Sequence, residues 1–238
     1  MDILAKLNPA QKAAVETIEG PVLILAGPGS GKTRVITHRI AYLMKVCGIS
    51  PHHIMAVTFT NKAAREMGER ISELAPGSAQ NLTMGTFHAI CARILRKDGK
   101  AAGIEPGFVI YDDDDQLELV KRALQELNLD SKQYVPRAVL SVISTAKSNM
   151  LSPLDLSRHT HSYFEEVTGR VYERYQQLLS ASQALDFDDL LMRTVQLFRE
   201  HPEILKKYQE RYIHVMVDEF QDTNLTQYEL IKQIGDKY

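Results

Sequence analysis

Residues 21–34 read PVLILAGPGSGKTR, an apolar run, a turn with three glycines, and a Lys-Thr pair that opens an amphipathic stretch. This order constrains the fold more than any other feature. A run such as PVLILA predicts a strand buried on both faces, which belongs in a parallel sheet covered by helices. Beyond the turn, Ile36, Ile40 and Leu43 fall on one helical face. The turn departs at one position from G-x-x-x-x-G-K-[ST]: Ala26 stands at the first glycine, with Gly31, Lys32 and Thr33 in register. The departure is tolerable because backbone N–H groups do the work. Ala26, Gly27, Pro28, Gly29, Ser30 and Gly31 form a cradle for phosphate oxygens, and the helix N-terminus adds positive dipole. Lys32 reaches the β and γ phosphates and Thr33 ligates Mg²⁺. An ordinary glycine turn is the plain alternative, and the strand, turn and helix in sequence argue against it.

The rhythm continues. IMAVTFT (54–60) predicts a second buried strand, and the following NKAAREMGERISEL places Met67, Ile71 and Leu74 at helical spacing with Asn61 able to cap. NLTMGTF (81–87) predicts a shorter strand running into a helix with Ile90, Ile94 and Leu95. Such β-α-β-α alternation predicts a doubly wound parallel sheet. From about residue 111 to 210 no strand is expected. Four helical stripes fill the interval: Leu117/Val120/Leu124/Leu127, Val139/Leu140/Ile143 behind Pro136, Phe164/Val167/Val171/Tyr175/Leu178, and Leu190/Leu191/Thr194/Phe198. IHVMV (213–217) then returns as a strand, so a helical subdomain is inserted into an α/β domain.

Composition sets the surroundings. The 238 residues carry a formal net charge of −2, which excludes a protein that coats nucleic acid by bulk charge but leaves room for a local groove. Cys47 and Cys91 are far apart and outside any CxxC, which fits a reducing compartment rather than a disulfide framework or zinc site. The Asn81 and Asn224 sequons then read as chance. No apolar run approaches a membrane span and the N-terminus lacks a signal-peptide pattern, so a soluble cytoplasmic protein is expected. Asp112–Asp115 read as solvated acids at a helix N-terminus, and His159 and His161 as exposed residues of a polar segment.

HVMVDEFQDTN (214–224) supplies the partner of the loop. Asp218, at the end of a later strand, is placed to hold the Mg²⁺ that Thr33 also binds, directly or through water. Glu219 is the natural base for the attacking water. Together the two motifs point to Mg²⁺-dependent hydrolysis of a nucleoside triphosphate.

Six segments in order, LNPAQ, AGPGSGKT, AVTFTNKAAREM, TMGTFHAICARILR, LDFDDLL and VMVDEFQDTN, resemble superfamily 1 DNA helicases of the UvrD/Rep/PcrA family. The resemblance covers essentially the whole chain. It implies a RecA-like P-loop NTPase sheet, residues 1–88 plus 208–238, with an inserted all-helical subdomain over 89–207. By position it makes Gln11 the reader of adenine, Arg34 a nucleotide contact, Lys32, Glu219 and Gln221 the catalytic set, and Gln221 the sensor of the γ-phosphate. It assigns single-stranded DNA contacts to Thr58, Phe59, Asn61, Thr86 and His88. By residue type alone, Phe59 and Phe87 fit a core, and the resemblance reverses that more for Phe59. Asp186-Phe187-Asp188-Asp189 are expected to cap a helix rather than bind metal.

What the resemblance implies for activity is ATP-driven 3′→5′ translocation on single-stranded DNA and unwinding of duplex DNA, in repair or replication. The family would continue past IGDKY into a second RecA-like domain carrying arginines that reach the γ-phosphate, so a catalytically incomplete N-terminal fragment is expected. A helicase–nuclease subunit shares these motifs. A degenerate ATPase used as a platform would not require Lys32, Thr33, Asp218, Glu219 and Gln221 together. A GTPase is disfavoured because Asn61-Lys62 is followed by Ala63 and Ala64 rather than completing NKxD.

Overall fold

The computed structural model describes residues 2–237 except 28, 78–80 and 159–161. Two compact units emerge: Met1–Ile90 with Leu205–Thr223 and Ile231–Tyr238, and Cys91–Ile204 with Asn224–Leu230. The sequence division kept 208–238 whole; residues 224–230 instead pack with the helical unit, through Thr226 Oγ1 donating to the carbonyls of Lys147 and Ser148 at 3.1 and 2.9 Å. No described helix is long and apolar enough to cross a membrane.

In the first unit, strands β1 (Ile54–Thr58), β2 (Thr83–Thr86) and β5 (His214–Val217) form a parallel sheet in the order β2-β1-β5. Every residue of β1 is buried, as expected for the central strand of a sheet covered on both faces. Helix α1 spans Pro9–Glu16, α2 Lys32–Lys45 and α3 Asn61–Leu74. Ile40, Leu43, Ile54, Ala56, Met67, Ile71 and Met216 meet in one core, so strand and helix bury the apolar faces read from the sequence. The cap of α3 differs from expectation. Thr60, not Asn61, is the N-cap, its hydroxyl accepting from Ala63 N–H at 3.1 Å, and Asn61 is the first helical residue.

PVLILA is not a strand. Residues 21–26 join no ladder, and Leu23 and Leu25 are 68% and 86% exposed, although Ile24 packs against the cluster of Leu7, Val15 and Val35. The run goes unpaired. β5 pairs with β1 and has no second strand beside it among the described residues. An apolar run becomes a strand where a ladder accepts its N–H and C=O groups, because strand preference is set by neighbours.

The second unit contains α5 (Asp113–Glu126), α6 (Pro136–Ser148), α7 (Pro153–Arg158), α8 (Tyr163–Ala181) and α9 (Phe187–Glu200). Helix α4 (Phe87–Asp98) leads into it, α10 (Pro202–Arg211) leads out, and α11 is Leu225–Gly235. Its core joins Val120, Leu124, Val139, Ile143, Val171, Tyr172 and Tyr175. It is not all-helical. Val109–Tyr111 (β3) and Ala184–Asp186 (β4) form a two-stranded parallel ladder with Tyr111 opposite Asp186. Three residues are too few to show an alternation, so no sequence pattern announces them. Each strand runs straight into a helix capped by aspartate: Asp112 caps α5 and Asp186 caps α9. The acidic runs are therefore helix starts, with acids near the positive end of the dipole.

Candidate functional site

The parallel register puts the carboxyl ends of three strands side by side. Thr58 lies opposite Thr86, and Val57 opposite Val217, so the segment after each strand emerges on one edge. Ligands of open α/β sheets bind at that edge.

Gly29 and Gly31 adopt φ of +71° and +87°, a left-handed backbone that disfavours side chains. Ser30 closes the turn through its N–H and Oγ to Gly27 O, at 3.3 and 2.6 Å. Gly31 is the N-cap of α2 and no side chain caps the helix. Its first-turn N–H groups are consequently available to an anion, in the positive field of the helix dipole. Lys32 Nζ arches back to Ala26 O and Gly27 O at 3.2 and 3.4 Å. Exposed Arg34 follows on the same turn, and Pro28 lies outside the described residues.

Gln11 touches this loop by a route the sequence did not show. Its Oε1 accepts from Asn8 N–H at 3.0 Å, completing a capping box on α1, and its Nε2 donates to Ser30 O at 3.1 Å. A Cβ placed on Gly31 would come within 3.1 Å of that Nε2. The amide is thus committed to its own chain and would exchange partners to read a base.

Thr33 Oγ1 donates to Asp218 Oδ2 at 3.0 Å. Asp218 is held from behind: its N–H donates to Val57 O at 3.0 Å, extending the β1–β5 ladder, and its Oδ1 accepts from Glu219 N–H at 3.1 Å. Glu219 is exposed and left-handed at φ +50°, an uncommon state for a residue with a side chain. Gln221 Nε2 donates to Glu219 Oε2 at 2.7 Å. Loop, threonine, aspartate, glutamate and glutamine therefore converge. Among the described residues no three His, Cys, Asp or Glu are grouped to hold a metal on their own. Thr33 and Asp218 offer two hard oxygens, which suits Mg²⁺, an ion commonly held by one or two protein groups together with phosphate and water.

The five residues read as DNA contacts share the sheet edge but differ in access. Thr58 and Thr86 are buried, the first donating to Thr60 O at 3.1 Å and the second accepting from Ala89 N–H at 3.2 Å. Their hydroxyls shape the turns. Phe59 is half-buried and meets the ring of Phe87 edge-on at 5.6 Å, with Phe87 itself in the core. Asn61 is exposed, and His88 is half-buried, with burial pushing its imidazole below the ordinary histidine range. His159 and His161 lie outside the described residues.

A parallel sheet with an aspartate at the carboxyl end of one strand, bonded to the helix that follows a glycine loop, belongs to the RecA-like, phosphate-loop class of α/β domain. Within that class the chain belongs to the UvrD/REP helicase N-terminal domain family, whose sequence model matches residues 7–238. It is 48% identical over 236 residues to the ATP-dependent DNA helicase PcrA of Bacillus subtilis, covering 99% of this chain and 32% of that protein. The PcrA of Staphylococcus aureus strain Mu50 is 47% identical over the same shares, and that of Staphylococcus epidermidis is 46% identical over 239 residues, 100% of this chain and 33% of that protein. The chain spans about a third of the length of these relatives.

Proposed function

We propose that this chain is the ATP-binding part of a DNA helicase that moves 3′→5′ along single-stranded DNA and unwinds duplex DNA, in the cytoplasm and in the service of repair or replication. The observation that carries the reading is the 3.0 Å contact between Thr33 and Asp218, which ties the phosphate loop to the strand end bearing Glu219 and Gln221. The similarity to relatives named as ATP-dependent DNA helicases supports the choice of ATP and DNA.

In this reading the loop N–H groups and α2 receive the phosphates of ATP, and Lys32 swings from Ala26 and Gly27 onto the β and γ oxygens. Thr33 and Asp218 hold Mg²⁺, which when bound neutralises phosphate charge. Glu219 orients a water and takes its proton as the water oxygen bonds to the γ-phosphorus and the bridge to ADP breaks. Gln221, already bonded to Glu219, reports the γ-phosphate. Gln11 releases Ser30 to read the adenine edge with a donor and an acceptor. On the adjoining edge Phe59 stacks on a base without reading its identity, Asn61 and His88 bond the backbone, and Thr58 and Thr86 hold these turns in place.

The test is phosphate release from ATP, with and without single-stranded DNA, paired with nucleotide titration of the chain and of Lys32→Ala. Nucleotide binding that needs Lys32 is expected, with release low in the absence of the remainder of the helicase, since an arginine supplied from elsewhere is worth roughly 10³ to 10⁵ in rate. Binding indifferent to Lys32 would overturn the assignment of the loop.

A further inference from the structure

The helical unit buries an ionic cluster that plays no part in the nucleotide site. Lys147 of α6 is fully enclosed, its Nζ 2.6 Å from Asp186 Oδ2 and 2.9 Å from Asp189 Oδ1, above the rings of Tyr172 and Tyr175. One ammonium faces two carboxyl groups, each 1% exposed. An unpaired buried charge is among the most expensive features a fold can hold.

The two carboxyl groups are not equivalent. Asp186 is complete: Oδ1 accepts from Asp189 N–H at 2.7 Å, and Oδ2 from Lys147 and from Tyr175 Oη at 2.8 Å. It is the natural counterion of Lys147. Asp189 receives Lys147 and Gln176 Nε2, the latter at 3.2 Å, both on Oδ1. Its Oδ2 is buried without a partner, and so is Oε1 of the same Gln176. Two orphan acceptors on two groups that already touch can both be satisfied by a single hydrogen.

We infer that Asp189 is a carboxylic acid in the folded protein, its Oδ2–H donating to Gln176 Oε1 while Gln176 Nε2 donates to Asp189 Oδ1, so that folding strengthens its hold on that proton. The cyclic acid–amide pair fills both vacant acceptors and leaves Lys147 and Asp186 as a neutral ion pair. A cavity of about 220 Å³ adjoins, lined by Gln176, Asp189 and Arg193 among others, yet neither orphan atom is exposed to it. The charged and titratable groups around Asp189 are Lys147 from α6, Tyr172 and Tyr175 from α8, Asp186 at the end of β4, Asp188 and Arg193 on α9, and Glu105 at the cavity wall. Burial, the largest influence, and the charge of Asp186 raise the Asp189 pKa, while Lys147 and Arg193 oppose them. A pKa raised by folding gives stability that is complete below the unfolded value and declines as pH rises toward the folded one.

Two measurements decide it. In the whole chain labelled with ¹³C at aspartate carboxyls, one resonance should remain at the protonated position at pH 7, and Asp189→Asn should remove it; every aspartate resonance at the carboxylate position would overturn the inference. In urea unfolding between pH 5 and 7, the folding constant of the wild type should fall tenfold per pH unit relative to Asp189→Asn, whose amide offers the same acceptor to Lys147 and the same donor to Gln176. Parallel pH profiles would overturn it. A wild-type spectrum with no protonated carboxyl overturns the inference even if the variant does not fold.

Discussion

Thr33 and Asp218 stand 185 positions apart in the chain, and the hydroxyl of one donates to the carboxylate of the other at 3.0 Å. The contact fixes the first turn of α2 against the end of β5. Replacing Thr33 by alanine should therefore separate two effects. Nucleotide affinity in Mg²⁺ should fall toward its value in chelator, by tenfold or more, whereas stability should drop by only about 1 kcal/mol, the usual worth of one hydrogen bond. Fluorescent-nucleotide titration and urea unfolding measure the two.

Gly29 and Gly31 share a left-handed backbone but not their surroundings. A Cβ at Gly29 meets nothing within 4 Å, while one at Gly31 meets Gln11 Nε2 at 3.1 Å. Alanine at Gly29 should cost the backbone term alone, roughly 1–2 kcal/mol. At Gly31 it should add displacement of Gln11, so both thermal stability and nucleotide affinity should fall further than for Gly29→Ala.

Glu219 is exposed and accepts from Gln221. Glu219→Gln keeps shape and removes the charge that would accept a proton. ATP binding should stay within about twofold, while hydrolysis by the assembled helicase should fall by roughly 10² to 10⁴, the usual share of a general base. Equilibrium titration and single-turnover phosphate release distinguish these outcomes.

Histidines 88 and 214 both have pKa values lowered by burial, His214 also by Arg39 and His53. A depressed pKa means the neutral form is favoured in the fold. The associated stability is present above the unfolded value of about 6.5 and is lost as pH falls below it toward the folded values. Between pH 7.5 and 5.5 the wild type should lose urea resistance relative to His88→Gln, which lacks the titrating ring. Circular dichroism suits the measurement, because the chain has no tryptophan.

Lys147→Met should be severe. The substitution leaves Asp186 buried with its charge uncompensated, which costs roughly 3–5 kcal/mol. A loss below 1 kcal/mol in urea unfolding would show that Asp186 does not rely on the ammonium.

The sequence by itself determined the elements whose residues act through local chemistry. Glycine spacing wrote the phosphate loop, apolar runs wrote β1 and β5, aspartates wrote the starts of α5 and α9, and six ordered motifs wrote the family. Lys147 lies at i+4 from Ile143 on the buried face of α6, and only its carboxylate partners mark it as a buried ion. What only tertiary structure decided was pairing. PVLILA carries a strand's composition but finds no ladder, and β3 and β4 form one from three residues each. Gln11 spends its amide on Asn8 and Ser30, and Thr58 and Thr86 turn their hydroxyls inward. Hydrogen bonds and buried charges are settled by which partner lies within about 3 Å, and the neighbours that decide it are distant in sequence.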